Sequence, residues 1–185
     1  VSWQTNGSKY WHRPHHYPRL GVTGLYYNLG SDVLGKAVAV APFLDYSLFR
    51  SVHYNGYVQF AYGIAYLTRH YDEFTTPTNN AIGSAVNGTM RLKLMIEKKR
   101  KGKTDALIGF SLTHFSNGGS QLPNYGINIP AIDLGLRFGK KVEIIKNKAA
   151  ESLKPAKKWG GIVHTDLAMV ESQTSRGPRY PIYTA

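Results

Sequence analysis

The sequence predicts an all-β chain folded as an antiparallel transmembrane β-barrel of the outer-membrane type, with about eight strands. Three observations carry that expectation. From residue 19 to residue 138 apolar side chains fall on even positions in segment after segment, which is the period of a strand and not of a helix. The composition, with 13 Tyr, 7 Phe, 19 Gly and only 18% charged residues among 185, suits aromatic strands and tight turns. No run of 18 apolar residues occurs, so no transmembrane helix competes with that reading.

The segments follow in order. The first sets Leu20, Val22 and Tyr26 against Gly21, Thr23 and Leu25. In the second, Val38, Val40, Leu44, Tyr46 and Leu48 alternate with Ala39, Ala41 and Asp45, and in the third Val58, Phe60, Tyr62, Ile64 and Tyr66 alternate with Gln59, Ala61, Gly63 and Ala65. The fourth opposes Ile82, Val86, Met90, Leu92, Leu94 and Ile96 to Gly83, Asn87, Thr89, Arg91, Lys93 and Glu97. Ile108, Phe110 and Leu112 mark the fifth; Ile132, Leu134, Leu136 and Phe138 mark the sixth, with Asp133 and Arg137 on its other face.

Each segment has one large apolar face and one small or polar face. A lipid-exposed barrel needs that arrangement, with Gly, Ala, Ser and Thr in a narrow lumen. The competing architecture is a soluble antiparallel barrel of lipocalin type, in which the large even side chains would fill a closed interior.

The net charge of +12 raises nucleic acid or an acidic membrane surface as partners. Lys98, Lys99, Arg100, Lys101 and Lys103, with Lys140, Lys141, Lys146, Lys148, Lys154, Lys157 and Lys158, gather 12 of the 23 basic residues at one end of the predicted barrel. They form a solvated rim, or one that touches anionic headgroups. Nucleic acid is not expected, because no stacking aromatics are interleaved with the lysines. The chain has no cysteine, which excludes a disulfide scaffold, a thiol nucleophile and a zinc–thiolate site. His12, His15 and His16 cluster in YWHRPHHYP, but Pro14 breaks any helical histidine face, and no metal or organic cofactor is expected. Trp3, Tyr10, Trp11, Tyr17, Tyr26, Tyr27 and Tyr66 read as interface girdles.

Chemistry is concentrated at the opposite end, in GFSLTHFSNGGSQLPNYGIN. His114 and Ser116 continue the even parity of Ile108, Phe110 and Leu112, so both point outward, on one face of a strand and about 6.6 Å apart along it. A small bend at Phe115 would bring imidazole and hydroxyl within hydrogen-bond reach. Serine activated by histidine serves ester hydrolysis, and Asn117, Gly118 and Gly119 offer donors for an oxyanion. The plain alternative is a polar turn in which Ser and Asn cap backbone groups and Gly takes positive φ.

The stretch H-F-S-N-G-G-x-x-x-P-N-x-G, His114 to Gly126, resembles the active-site signature of the PagL-type lipid A deacylases, also described as acyloxyacyl hydrolases. VAVAPFLDY, VQFAYGIAYLT and IGSAVNGTMRLKL extend the resemblance over roughly residues 20 to 138. It implies an enzyme of the bacterial outer membrane that cleaves the 3-position acyl ester of lipid A, with its site toward the outer leaflet. Lipid A or lipopolysaccharide would be its substrate, outer-membrane lipids its surroundings and a second copy of the chain, as a homodimer, a partner.

By the same resemblance Ser116 is the nucleophile, His114 the base and Asn117, with Gly118, an oxyanion donor, while Gly119, Pro123, Asn124 and Gly126 complete the motif. Asn128 departs from it, since PagL itself has a glutamate there to orient the histidine. An amide accepts a hydrogen bond from the imidazole but brings no charge. Asp133 faces the lumen and does not substitute, which leaves Asp72 or Glu73. A non-catalytic barrel, porin-like or structural, with a decayed site is therefore the rival reading.

Residues 1–138 are expected to form the barrel, with the deacylase-like motif at 114–128. Residues 139–185 are expected to form a basic periplasmic connection and a strand-like extension over Val163–Met169, whose apolar parity is odd. The family's barrel ends at the strand matching Ala131–Phe138, so the chain is read as truncated at one or both ends.

Overall fold

The computed structural model describes residues 1–100, 104–139 and 142, together with the backbones of 166–171 and 179–184. Its strands are β1 (Ser2–Gln4), β2 (Arg19–Asn28), β3 (Lys36–Arg50), β4 (Tyr54–Leu67), β5 (Val86–Lys98), β6 (Thr104–Ser116), β7 (Ile127–Phe138), β8 (Asp166–Glu171) and β9 (Arg179–Thr184). β1 to β7 form one antiparallel meander in sequence order, and β8 pairs with β9 in a separate hairpin. The seven-stranded sheet is not closed by hydrogen bonds; β1 and β7 are its edges.

The alternation dictates which side chains face which way. Even positions are exposed: Val40 on β3, Phe60 and Tyr62 on β4, Leu94 on β5, Phe110 on β6 and Leu134 on β7 all lie on the outer face. A soluble lipid carrier would have required Phe60, Tyr62, Phe110 and Leu134 inside, and they are not. Odd positions turn to the other side, where the sheet curls until strands far apart in order meet through their side chains. Tyr27 of β2 reaches Thr113 of β6 (2.9 Å), and Arg19 of β2 pairs with Glu97 of β5 (3.7 Å).

The concave side has two halves. Toward the β6–β7 loop it is small and apolar, built on Ala37, Ala39, Ala65, Leu67, Ile82 and Phe115. Toward the other end it is charged, where the expectation was mostly small residues. Arg19 and Arg137 converge on Asp45 and Glu97; Gln59 donates to Asp45 (2.7 Å), Asn55 donates to Glu97 (3.1 Å), and Arg137 donates to the Tyr57 hydroxyl (3.0 Å). Between the halves Asp133 binds Arg91 (2.7 Å) and Lys93 (2.9 Å), the lumenal position its odd parity predicts. Largely buried charges of both signs are paired here, which offsets the cost of their burial.

Three details differ from the sequence expectation. Ile82 is not on the outer face of a strand: β5 begins at Val86, and Ile82 is wholly buried in the β4–β5 loop, where its carbonyl accepts from Tyr71 N (2.7 Å). Tyr27 belongs to no girdle, because its odd parity sends it inward against Phe115, ring centroids 5.5 Å apart and edge-on. The strand expected over Val163–Met169 is described as Asp166–Glu171. Lys101, Lys103, Lys140, Lys141, Lys146, Lys148, Lys154, Lys157 and Lys158 lie outside the described residues. Register places Lys98 of β5 beside the start of β6 and the end of β7, the end opposite the motif.

Candidate active site

β6 ends at Ser116, and the burial of its neighbours fixes the orientation of its last residues. Phe115 is fully buried against Tyr27 and holds the strand tip to the core, so His114 and Ser116 on either side of it must face outward. The ladder is unbroken there: Thr89 of β5 and Ile127 of β7 both pair with Phe115. The bend anticipated at Phe115 is absent, and no hydrogen bond joins His114 to Ser116 among the described residues.

Register also brings Asn128 to His114. The two are direct partners across β6 and β7, and the Asn128 Oδ1 lies 2.8 Å from His114 Nδ1. With Oδ1 as acceptor, Nδ1 carries the ring proton and Nε2 keeps a free lone pair. Asp72 turns elsewhere, its Oδ1 accepting from Phe74 N, Thr75 N and the Thr75 hydroxyl. Gly126, at φ 77°, packs under the imidazole: a Cβ built on it would sit 2.7 Å from His114 Cε1. Only glycine fits both that backbone and that contact.

The hydroxyl of Ser116 accepts two hydrogen bonds, from Gly118 N (3.1 Å) and from Asn124 Nδ2 (2.9 Å). Asn117 is fully engaged in holding the turn. Its N donates to Asn124 Oδ1 (3.1 Å), its Nδ2 donates to the Ser84 hydroxyl (3.0 Å) and to Gln121 O (2.7 Å), and its Oδ1 accepts from Gly119 N (3.0 Å). Asn124 is thus the residue whose position relative to the serine the motif alone did not reveal.

The loop rests on its neighbour: Gly126 N donates to Ala81 O (2.9 Å), and Gly83 has no Cβ to block the close approach of Gln121 and Leu122. Pro123 lies within that loop, between the turn and Asn124.

Fold and site together define an all-β protein built on a curled seven-stranded antiparallel sheet, consistent with a β-barrel, with a serine, a histidine and two asparagines gathered at one rim of its apolar outer face. The family model described as lipid A 3-O-deacylase (PagL) matches residues 1–137, and the chain belongs to that family. Its members are outer-membrane ester hydrolases that act on lipid A. No curated protein and no solved structure matches the chain.

Proposed function

We propose that this chain hydrolyses the 3-O-linked acyl ester of lipid A, with Ser116 as nucleophile, His114 as general base and Asn128 as the group that orients the imidazole. The observation that carries the reading is the 2.8 Å contact between His114 Nδ1 and Asn128 Oδ1 beside an outward-facing serine. Rotation of the Ser116 hydroxyl toward His114 Nε2 lets the imidazole take its proton as Oγ attacks the ester carbonyl carbon. Gly118 N–H and Asn124 Nδ2, which donate to Oγ at rest, are assigned as the donors that turn to the ester carbonyl oxygen as it becomes anionic. Asn117 supports them by fixing the turn.

His114 then returns the proton to the departing sugar oxygen, and a water activated the same way releases the fatty acid from the acyl-serine. The site lies on the lipid-facing surface, toward the outer leaflet, and the charged end toward the periplasm. A second copy of the chain could pair with it as a homodimer without entering this chemistry.

The rival reading, a non-catalytic barrel, draws on the amide at Asn128 and on the unformed His114–Ser116 bond. One experiment separates the two: incubate the detergent-reconstituted protein with purified lipopolysaccharide and weigh the lipid A by mass spectrometry. Loss of one acyl chain, abolished in Ser116→Ala, is expected; lipid A left intact by the wild type would sink the proposal.

A further inference from the structure

Two cations stand apart at the motif end of the sheet. Lys36 opens β3 and Arg69 follows β4, and among the described residues no other Lys or Arg lies at that end. Both are exposed, and among the described residues neither pairs with a carboxylate, whereas Arg19 and Arg137 at the opposite end converge on Asp45 and Glu97. The fold holds the two together. Lys36 N donates to the Thr68 hydroxyl (2.9 Å) and Thr68 N donates to Lys36 O (2.9 Å), which ties the start of β3 to the residue before Arg69. Gly35, at φ 69°, clears the space: a Cβ there would lie 2.7 Å from Arg69 Cγ, so the arginine stem passes over bare backbone beside Lys36. Like charges fixed on neighbouring residues repel, and an anion shared between them removes that cost.

We infer that Lys36 and Arg69 form a subsite for a phosphate monoester on the saccharide headgroup of the lipid substrate. This rests on the proposed role of Ser116 and adds the contact that orients the headgroup while the ester meets the serine. Lys36 shares the even, outward parity of Ser116. Register leads from Ser116 to Gly88, Ile64 and Val40 across three strand spacings, and Lys36 lies four residues further along β3, so the two backbones are roughly 20 Å apart over the sheet surface. The two long cationic side chains shorten that gap to about the length of a disaccharide. A phosphate on the far sugar then meets the cations while an acyl ester on the near sugar meets Ser116. Arg69 offers a planar fork of N–H donors to two phosphate oxygens, and Lys36 a point charge.

The test follows turnover of bisphosphorylated lipid A, and of the same lipid A stripped of phosphate by hydrogen fluoride, each dilute in neutral detergent micelles. Wild type is compared with Lys36→Gln/Arg69→Gln and with Lys98→Gln, which removes a charge at the opposite end. Binding of both lipids to Ser116→Ala, with and without the two glutamines, is read in parallel by calorimetry. The double variant is expected to raise KM for the bisphosphorylated lipid by about tenfold at unchanged kcat, to weaken its binding equally and to leave the stripped lipid unaffected. Lys98→Gln should change neither. Heat-modifiable gel mobility reports folding; if the double variant does not fold, Arg69→Gln alone, in an exposed loop, decides. Equal effects on both lipids, or none, overturn the subsite and leave the esterase reading standing. So does a loss on the stripped lipid that appears only when phosphatidylglycerol is added, since the anion then belongs to a neighbouring lipid. A wild type inert on both lipids overturns the esterase reading, and the binding arm still decides the subsite: a phosphate-dependent loss upholds it, and identical binding overturns it.

Discussion

Gly126→Ala perturbs the imidazole without replacing any group that reacts. Its new Cβ would lie 2.7 Å from His114 Cε1, 3.5 Å from Nδ1 and 3.1 Å from Phe115 O, where ordinary contact begins at 3.4 Å. The Phe115 carbonyl is backbone and its side chain is buried, so the ring is the part that gives, by about 0.7 Å. A displacement of that size takes the 2.8 Å bond to Asn128 to the limit of hydrogen bonding. Turnover of lipopolysaccharide, followed by mass spectrometry, should fall by roughly 100-fold. Holding alanine at φ 77° also costs about 1–2 kcal/mol of stability. Gly30→Ala separates the two effects, because Gly30 has φ 73° with nothing within 4 Å: it should lose stability and keep its turnover. A folded Gly126→Ala protein with wild-type turnover would refute the role given to the His114 ring position.

Asn128→Glu, if its carboxylate replaces the amide at His114 Nδ1, should raise kcat by about tenfold, since a charge stabilises the imidazolium better than a dipole; a fall with folding intact would show the amide is suited to its place. Glu97→Ala should destabilise the sheet by roughly 3 kcal/mol in urea unfolding followed by gel mobility, because Arg137 and Arg19 lose a buried partner; an unchanged midpoint would mean water reaches that network. His12 Nδ1 accepts from Gly7 N (3.0 Å) and Lys9 N (3.5 Å), and burial, followed by the Lys9 charge, holds its pKa below the ordinary 6.5. The folded state therefore binds the proton less well than the unfolded one. Stability of the loop before β2 should be full above pH 6.5 and decline as pH falls below it, read as faster amide exchange at Gly7 and Lys9, corrected for intrinsic rates. A flat response between pH 8 and about 5 would remove His12 as the cause.

The outer face of the sheet was readable because its code is local: at period two, parity alone assigns Phe60, Leu94 or Leu134 to one side. Parity extended to the last residues of β6 and through Pro130 to Asn128, whose contact with His114 the cross-strand register makes. β1 was not legible, because three residues give no alternation. Ile82 was misplaced for the opposite reason, its even number matching a strand that had not yet begun. The charged cluster of Arg19, Asp45, Glu97 and Arg137 joins residues up to 118 positions apart in four strands, and only the curl of the sheet brings them together. Asn124 donating to Ser116 depends on the path of an irregular loop, for which spacing carries no rule.

Under the proposed function, the ion pairs that fill the concave side bear on how a substrate arrives. Arg19, Asp45, Glu97 and Arg137 are locked together on the concave side, whereas Ser116 lies on the outer face, so the proposed chemistry is approached from the side. An enzyme approached from the side samples a two-dimensional phase. Its rate follows the mole fraction of substrate in the surrounding bilayer or micelle, so adding detergent at constant substrate slows it, and adding bulk volume does not.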